Sequence, residues 1–474
     1  MSSFINGQIS HWDYQEKLAE LKGQKTPGQA SSKFLGSSIQ PTKKYDLVII
    51  GGGFTGLWTA YHNLRNNAVN SIAILEANTV GYGASGRNGG WLSQLFPGRA
   101  SVYAKSRGIE SVRNFQRMII DSISEVIDVT KEHGIDADIC RSGGLEVATS
   151  KAGVARLRKT REAELHYGLR PDEAIELNAD ESRERINIAT THAGLYHKNN
   201  TRINPAKLAR GLAQYLVGEG VEIIQGVRVT SIHPGYVSTN LGRVNARRIV
   251  CCTEGYSGPL LGEGRVIPVN SSMIATEPIA ASDWEKIGWS GYELLGDTAH
   301  TFIYAQRTAD NRIAIGGRGS PYGYGGDTAA DGRLLESVVD QLVDRLGVFF
   351  PDVDFAVAHA WRGVLGVTRD WCATVNWDDD TSIGYVFGYA GHGVTSTYLA
   401  GKTMADRIAR RRTPATELPW NNHNSGRWEP DPIRWLGIHS LYKVFGASDV
   451  YENRFESDRT PWPAQISARI AGMD

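Results

Sequence analysis

Three groups of residues in this chain have the types and spacing to do chemistry. The first is Gly51, Gly53 and Gly56, a G-x-G-x-x-G that follows the apolar run 45–50. Gly51 permits a tight turn, Gly53 lets a diphosphate approach bare backbone, and Gly56 lets a helix pack closely on the strand. Phe54 and Thr55 would open that helix, whose N-terminal amides and positive dipole end then face the diphosphate. Glu76 stands 20 residues past Gly56 (76 − 56), where a carboxylate can accept hydrogen bonds from both hydroxyls of an adenosine ribose. A glycine motif alone would be weak. The strand before it, the helix after it and the acid at this distance point together to a dinucleotide.

The second group is the loop 80–92, "VGYGASGRNGGWL", with Ala84, Ser85, Arg87, Asn88, Gly89 and Gly90 among its five glycines. A loop this bare can run its amides along a long flat ligand, and Arg87 can meet a diphosphate as a planar donor. An NAD site needs no second glycine loop here, whereas an extended FAD does. The third group is 388–402, "GYAGHGVTSTYLAGK", which places Gly391, His392 and Gly393 just before a helix starting near Val394. Amides and dipole at such a helix start can stabilise the negative charge that reduction leaves on a flavin, on the order of 1 kcal/mol per contact. Thr395 and Ser396 would present hydroxyls or amides to the same edge. His392 is either an acid–base group or a plain loop residue at a helix start.

The elements that must position these groups follow from periodicity. From residue 45 the pattern runs strand, glycine turn, helix, strand. Residues 111–135 repeat apolar side chains at helical spacing, 204–232 read helix then strand, and 246–257 form a buried strand ending in glycine. A helix at 336–351 is followed by a strand and helix over 382–412. Segments of antiparallel character lie between, at 142–150, 271–278 and 310–319. The expected fold is α/β, a Rossmann-type dinucleotide-binding domain interleaved with an α+β substrate domain on a mainly antiparallel sheet. Its expected boundaries are an extension 1–44 with one short helix (about 12–22), a dinucleotide domain of 45–105, 200–265 and 355–412, a substrate domain of 106–199 and 266–354, and an irregular tail 413–474.

Composition removes several alternatives. Lysine plus arginine and aspartate plus glutamate number 51 each, so no charge footprint for nucleic acid is present. Cys140, Cys251, Cys252 and Cys372 form no CxxC pair, which argues against a zinc site, any other metal site of that type and a redox disulfide. The start of the chain lacks a signal-peptide pattern and no run of 18 apolar residues occurs. A cytoplasmic protein with no membrane span is expected.

The blocks "DLVIIGGGFTGLWTA", "EANTVGYGASGRNGG", "GVRVTSI", "IVCCTEGYSG", "YAQRTADNRIAIGGRG" and "GYAGHGVTSTYLAGK" resemble, in this order, the D-amino-acid-oxidase-like FAD superfamily. That group includes glycine, sarcosine and D-amino acid oxidases, and the blocks are most similar to those of gamma-glutamylputrescine oxidoreductases. The resemblance spans roughly 45–412. It implies FAD on Gly51, Gly53, Gly56, Glu76 and the loop 84–90, with Val229 meeting the adenine and Thr253 and Gly255 capping the third strand. Gly363 occupies the position of the cysteine that links flavin in sarcosine oxidases, which implies noncovalent binding.

The implied reaction oxidises the C–N bond of an amine or amino-acid derivative to an imine that hydrolyses to carbonyl plus amine. Dioxygen or another acceptor takes the electrons, an oxidase ranking ahead of a dehydrogenase. A gamma-glutamylputrescine-like substrate is favoured. The alternatives are a sarcosine-, glycine- or D-amino-acid-type oxidase, or a noncatalytic FAD-binding assembly protein. Tyr304, Arg307, Trp361 with Arg362, and His392 are the candidate catalytic groups. Arg307 could instead pair with Asp310, Arg318 and Tyr322 are substitutes for it, and Trp91 would wall the pocket. Trp371 and Cys372 stand where many relatives carry a short proline-containing stretch, so the pocket beside the flavin departs from theirs.

Overall fold

The computed structural model describes residues 4–7, 9–14, 42–317, 319, 321–328 and 331–472. Strand Lys44–Ile50 is the centre of one sheet, and its Leu47, Val48 and Ile49 are fully buried. Such a run suits a parallel strand covered on both faces. It pairs in parallel with Ile72–Glu76 on one side and with the second half of Gly242–Cys251 on the other. Glu222–Gln225 extends the first edge and Ile383–Phe387 the second, again in parallel, and Thr374–Asp378 closes that edge antiparallel. The first half of Gly242–Cys251 peels away into an antiparallel meander with Tyr236–Thr239 and Val229–His233.

Helices Phe54–Arg65, Ile109–Glu132, Pro205–Gly218 and Gly393–Ile408 cover one face of this sheet through Leu57, Trp58, Phe115, Ile119, Leu212 and Leu399. The meander covers the other face through Val237 and Val244 against Val48. Phe54–Arg65 and Gly393–Ile408 cross at Gly401, where a Cβ would stand 2.6 Å from the Trp58 carbonyl carbon. Glycine there is what lets the two helix starts converge. This is the Rossmann-type half of the expected α/β fold.

The second sheet has nine strands in the order Ile5–Asn6, Val357–Val367, Ile267–Thr276, Ile313–Gly317, Ile303–Arg307, Leu294–Asp297, Gly144–Ala148, Ala193–His197, Ile175–Asn178. All neighbours run antiparallel except the first pair and the pair Leu294–Asp297 with Gly144–Ala148. Helix Glu336–Phe349 buries Val339, Leu342 and Leu346 against Ile274, Ile313 and Ile315 of this sheet.

Three expectations are corrected. Val357–Val367 pairs along Ile267–Thr276 over its length, so the return to the dinucleotide half comes after residue 367 and not at 355. Helix Ile109–Glu132 buries Val112, Phe115, Ile119 and Ile123 in the dinucleotide-side core, so the break placed at 105 cuts through that half. The tail is not irregular: Ile433–Phe455 and Trp462–Ala471 are helices. Of the short helix expected at 12–22, residues 11–14 are helical and the remainder lies outside the described residues. Among the described residues no helix is long and apolar enough to cross a membrane.

Candidate functional site

The glycine turn has the shape of a cradle. Gly51 has φ +106, and a Cβ on it would lie 2.6 Å from the Cys252 carbonyl oxygen; a Cβ on Gly56 would lie 2.0 Å from the Gly51 carbonyl oxygen. Gly53 caps helix Phe54–Arg65 without a side-chain bond, so the positive end of the helix stays open to an anion such as a diphosphate. The Phe54 amide donates to Ser85 Oγ at 2.8 Å, which fixes the second glycine loop to this helix start. Thr55 Oγ1 lies 3.2 Å from the Tyr389 hydroxyl, tying the same helix to the third motif.

Glu76 ends its strand beside the cradle, accepting the Gly52 amide at 2.7 Å on one oxygen and the Asn78 amide at 2.8 Å on the other. Burial holds its carboxyl above the ordinary value against the pull of those amides. Each oxygen keeps a lone pair for a ribose hydroxyl. Val229 opens the meander strand just past Val227, whose amide donates to the Glu76 carbonyl. Thr253 follows Gly242–Cys251 and shares hydroxyl contacts with Ser257 and Cys251. Gly255 admits the strand beyond it, because a Cβ there would meet Val364 Cγ1 at 2.8 Å.

Loop 84–90 is held from every side. Asn88 donates to the carbonyls of Ala84 and Ser85 and accepts the Gly90 amide. Gln306 Nε2 donates to the Gly89 carbonyl at 2.6 Å, and Trp12 Nε1 to the Asn88 carbonyl at 2.9 Å. Ser10 Oγ reaches the Gly86 carbonyl at 2.7 Å. Arg87 is buried; its Nε donates to the Tyr82 carbonyl and its Nη1 to the Arg362 carbonyl. Those two bonds brace the loop while Arg87 also lines the cavity wall.

One cavity of about 1050 Å³ collects the chemistry-bearing residues. The loop contributes Ala84, Arg87, Asn88, Gly89 and Trp91 to its wall, the long strand Gly363 and Leu365, and the third motif Gly391, His392 and Val394. Helix Gly393–Ile408 starts there with His392 at its cap and no side-chain capping bond. Opposite lies the face of the second sheet, with Tyr304 and Ser271, whose hydroxyls are 2.6 Å apart.

Several expected residues sit elsewhere. Arg307 turns to the other face of its strand, donates to the Trp289 carbonyl and to Asn311 Oδ1, and stacks on Trp284 and Tyr292. Asp310 pairs with Arg312, not with Arg307. Trp361 is on the cavity-side face but fully buried beneath Trp12, its indole donating to the Arg87 carbonyl. Arg362 runs toward Asp331, and Tyr322 donates to Asp431; neither lines the cavity. Arg318 lies outside the described residues. Thr395 donates its hydroxyl to the Ser93 carbonyl, and Ser396 is fully buried. Cys372 is fully buried and burial pushes its thiol up to about 12, far from the reactive range of a linking cysteine.

Sequence reasoning missed five contributors: Trp12, Gln306, Ser271, Glu254 and Glu146. Glu254 accepts the amides of Gly366, Gly388 and Tyr389 and so joins the third strand to the other two walls. Trp12 had a weak signal, a large aromatic within a mostly polar extension. The rest had none that is local.

The cradle, the acid at the strand end and the two helix starts fit an FAD, and the comparisons agree. The chain is 31% identical over 403 residues to gamma-glutamylputrescine oxidoreductase of Escherichia coli (strain K12), covering 83% of this chain and 91% of that one. It is 24% identical over 413 residues to sarcosine oxidase subunit beta of Arthrobacter sp, covering 82% and 93%. The crystal structure of glycine oxidase from Geobacillus kaustophilus superposes with a TM-score of 0.66 at 19% identity, over 78% of this chain and 96% of that one. L-proline dehydrogenase from P. horikoshii gives the same score at 17% identity, over 80% and 97%. Residues 46–407, which hold all three motifs and both sheets' junction, match the family described as FAD dependent oxidoreductase (DAO), and the chain belongs to that family.

Proposed function

We propose that this chain binds FAD noncovalently and oxidises the C–N bond of an amine bearing a long polar substituent, a gamma-glutamylputrescine-like molecule, as an oxidase. The observation that carries this reading is that one cavity wall holds Gly89, Gly363 and Gly391 together with the Ser271–Tyr304 hydroxyl pair. FAD held on the glycine walls would supply the hydride acceptor for the carbon bearing the amine, with dioxygen as the final electron acceptor. The chain's own part is positioning and exclusion of water. Tyr304 projects from the sheet toward the loop and can hold the amine nitrogen by its hydroxyl, with Ser271 fixing that hydroxyl's direction. The positive dipole end of helix Gly393–Ile408 favours negative charge at its start. The imine so formed takes up water and breaks to carbonyl plus amine. Gly363 offers no atom for a covalent link, and buried Cys372 is not in the cavity wall.

Anaerobic stopped-flow absorbance of the purified yellow protein tests this. Gamma-glutamylputrescine, simple polyamines, N-methyl amino acids, glycine and D-amino acids would each be mixed with it. Fast bleaching by gamma-glutamylputrescine, recovery on admitting air and release of the flavin on acid precipitation are the expected results. A flavin band that no amine bleaches overturns the reading.

A further inference from the structure

The cavity extends past Tyr304 along one cross-strand row of the second sheet. Tyr304 pairs with Gly296, and Gly296 pairs with Glu146. Directly paired residues share a face, so Glu146, Gly296 and Tyr304 point the same way, and all three line the cavity. The middle position is glycine, and the Trp91 ring lies over it, its Cη2 3.6 Å from where a Cβ would stand. The Tyr304 hydroxyl reaches the other way, over Gly316 to Ser271, so about three strand spacings, roughly 14 Å, separate it from Glu146.

Four acids line the cavity, Glu146, Glu164, Asp297 and the exposed Asp458, and two of them are already engaged. Glu164 meets His197 Nε2 at 2.9 Å, and Asp297 is ion-paired with Arg345. Glu146 has no hydrogen bond or ion pair among the described residues. A carboxylate on the wall of a cavity without a partner is costly unless a ligand supplies one. The neighbouring wall, on helix Lys151–His166, carries Lys159, a cation suited to a carboxylate on the same ligand head.

We infer that Glu146 is a specificity-determining residue that binds a second ammonium group of the substrate, about three strand spacings from the Tyr304 hydroxyl that holds the reacting amine. This rests on the amine-oxidation reading and deepens it. A small amino acid such as glycine or sarcosine has no second ammonium and would leave the carboxylate unpaired. An aminoalkyl amide of glutamate carries its α-ammonium about ten bonds beyond the reacting amine and can pass along Trp91 to reach Glu146.

The test compares two amides of putrescine, gamma-glutamylputrescine and glutarylputrescine, which differ by that one distal amine. Saturation of the anaerobic reduction rate gives the limiting rate and the apparent Kd for each. The expected result is that the native protein favours the glutamyl amide on the order of 10- to 100-fold, in Kd and not in limiting rate. In Glu146→Gln the ratio collapses toward one, and Glu146→Asp restores part of it. A native ratio near one, or a preference that survives Glu146→Gln, overturns the inference and leaves amine oxidation standing. Turnover of neither amide by flavin-loaded protein overturns both.

Discussion

Gly89 and Tyr304 meet so closely that a Cβ at position 89 would stand 2.8 Å from Cδ2 of the tyrosine ring. One belongs to the second glycine loop and the other to the substrate-side sheet, so this contact sets how far apart the two walls of the cavity lie. The same ring passes Gly316, where a Cβ would fall 2.4 Å from its Cζ. Tyr304 therefore occupies a slot cut by two glycines, and it cannot yield in either direction.

Gly89→Ala should fold, because the loop is pinned by Trp12, Asn88 and Gln306, but it should hold flavin poorly. Overpacking of this kind costs about 1–3 kcal/mol, or roughly 10-fold or more in affinity for whatever lies on the loop. The ratio of visible to ultraviolet absorbance after gel filtration reads it directly. Full flavin content with native kinetics would show that the loop does not touch the cofactor.

Tyr304→Phe removes the hydroxyl and keeps the ring. Flavin content should stay native, since the ring still fills its slot, while kcat/KM falls on the order of 10-fold with the loss of one well-placed hydrogen bond. Ser271→Ala leaves the phenol in place without its 2.6 Å partner and should cost less. Steady-state oxygen consumption with both variants checks the order. A larger loss for Ser271→Ala than for Tyr304→Phe would put the serine, not the tyrosine, on the substrate.

The cofactor half was legible because its signals are local. G-x-G-x-x-G, the acid 20 residues on and the helix after Gly391 are each set by a few consecutive residues. The substrate half was not. In strand Ile303–Arg307 alternation places Tyr304 and Gln306 on one face and Arg307 on the other, and nothing in the strand says which face meets the cavity. Trp361 is on the right face but lies under Trp12, a residue about 350 positions away in sequence (361 − 12 = 349). Glu146 sits in an ordinary strand, and only the register that aligns it with Gly296 and Tyr304 gives it a role.

Glu146 should also show itself in stability. Burial pushes its carboxyl up to about 7; His197 on the adjoining strand pulls it down, while Glu164 on the covering helix and Asp297 on the paired strand push it up. Between the ordinary 4.5 and about 7 the folded chain keeps a proton that the unfolded chain has lost, so stability falls as the pH rises through that window. Glu146→Gln removes the ionisable group and should be more stable than the native protein at pH 8, by up to about 3 kcal/mol, with little difference at pH 5. Thermal unfolding without substrate at the two pH values checks this. An equal shift at both would mean that packing, not ionisation, sets the effect.

The tail helices close the cavity, and Glu452 is the most buried of the carboxylates that fasten them. Glu452, about 1% exposed, accepts Arg156 Nη1 at 2.8 Å and Nη2 at 2.7 Å and meets His300 Nε2 at 2.9 Å. Asp449, one turn earlier, accepts the amides of His300 and Thr301. Phe445, Ala464 and Ala468 then form part of the cavity wall. Burial opposes ionisation of Glu452, but the bonds from His300 and Arg156 outweigh it and hold the carboxyl below its ordinary 4.5. The clamp therefore contributes in full above that value and is lost as the pH falls through the lowered one. Glu452→Ala leaves Arg156 without its carboxylate, and breaking such a buried pair costs about 3–5 kcal/mol. Because the second sheet is complete without the tail, the loss should appear as release of helices Ile433–Phe455 and Trp462–Ala471 and not as global unfolding. Limited proteolysis should cut the variant faster between them, at 456–461, with the flavin retained. With the cover loosened, KM for the amine should rise more than kcat falls. Faster cutting within the glycine loops instead would mean that the tail supports the cofactor half and not the substrate wall.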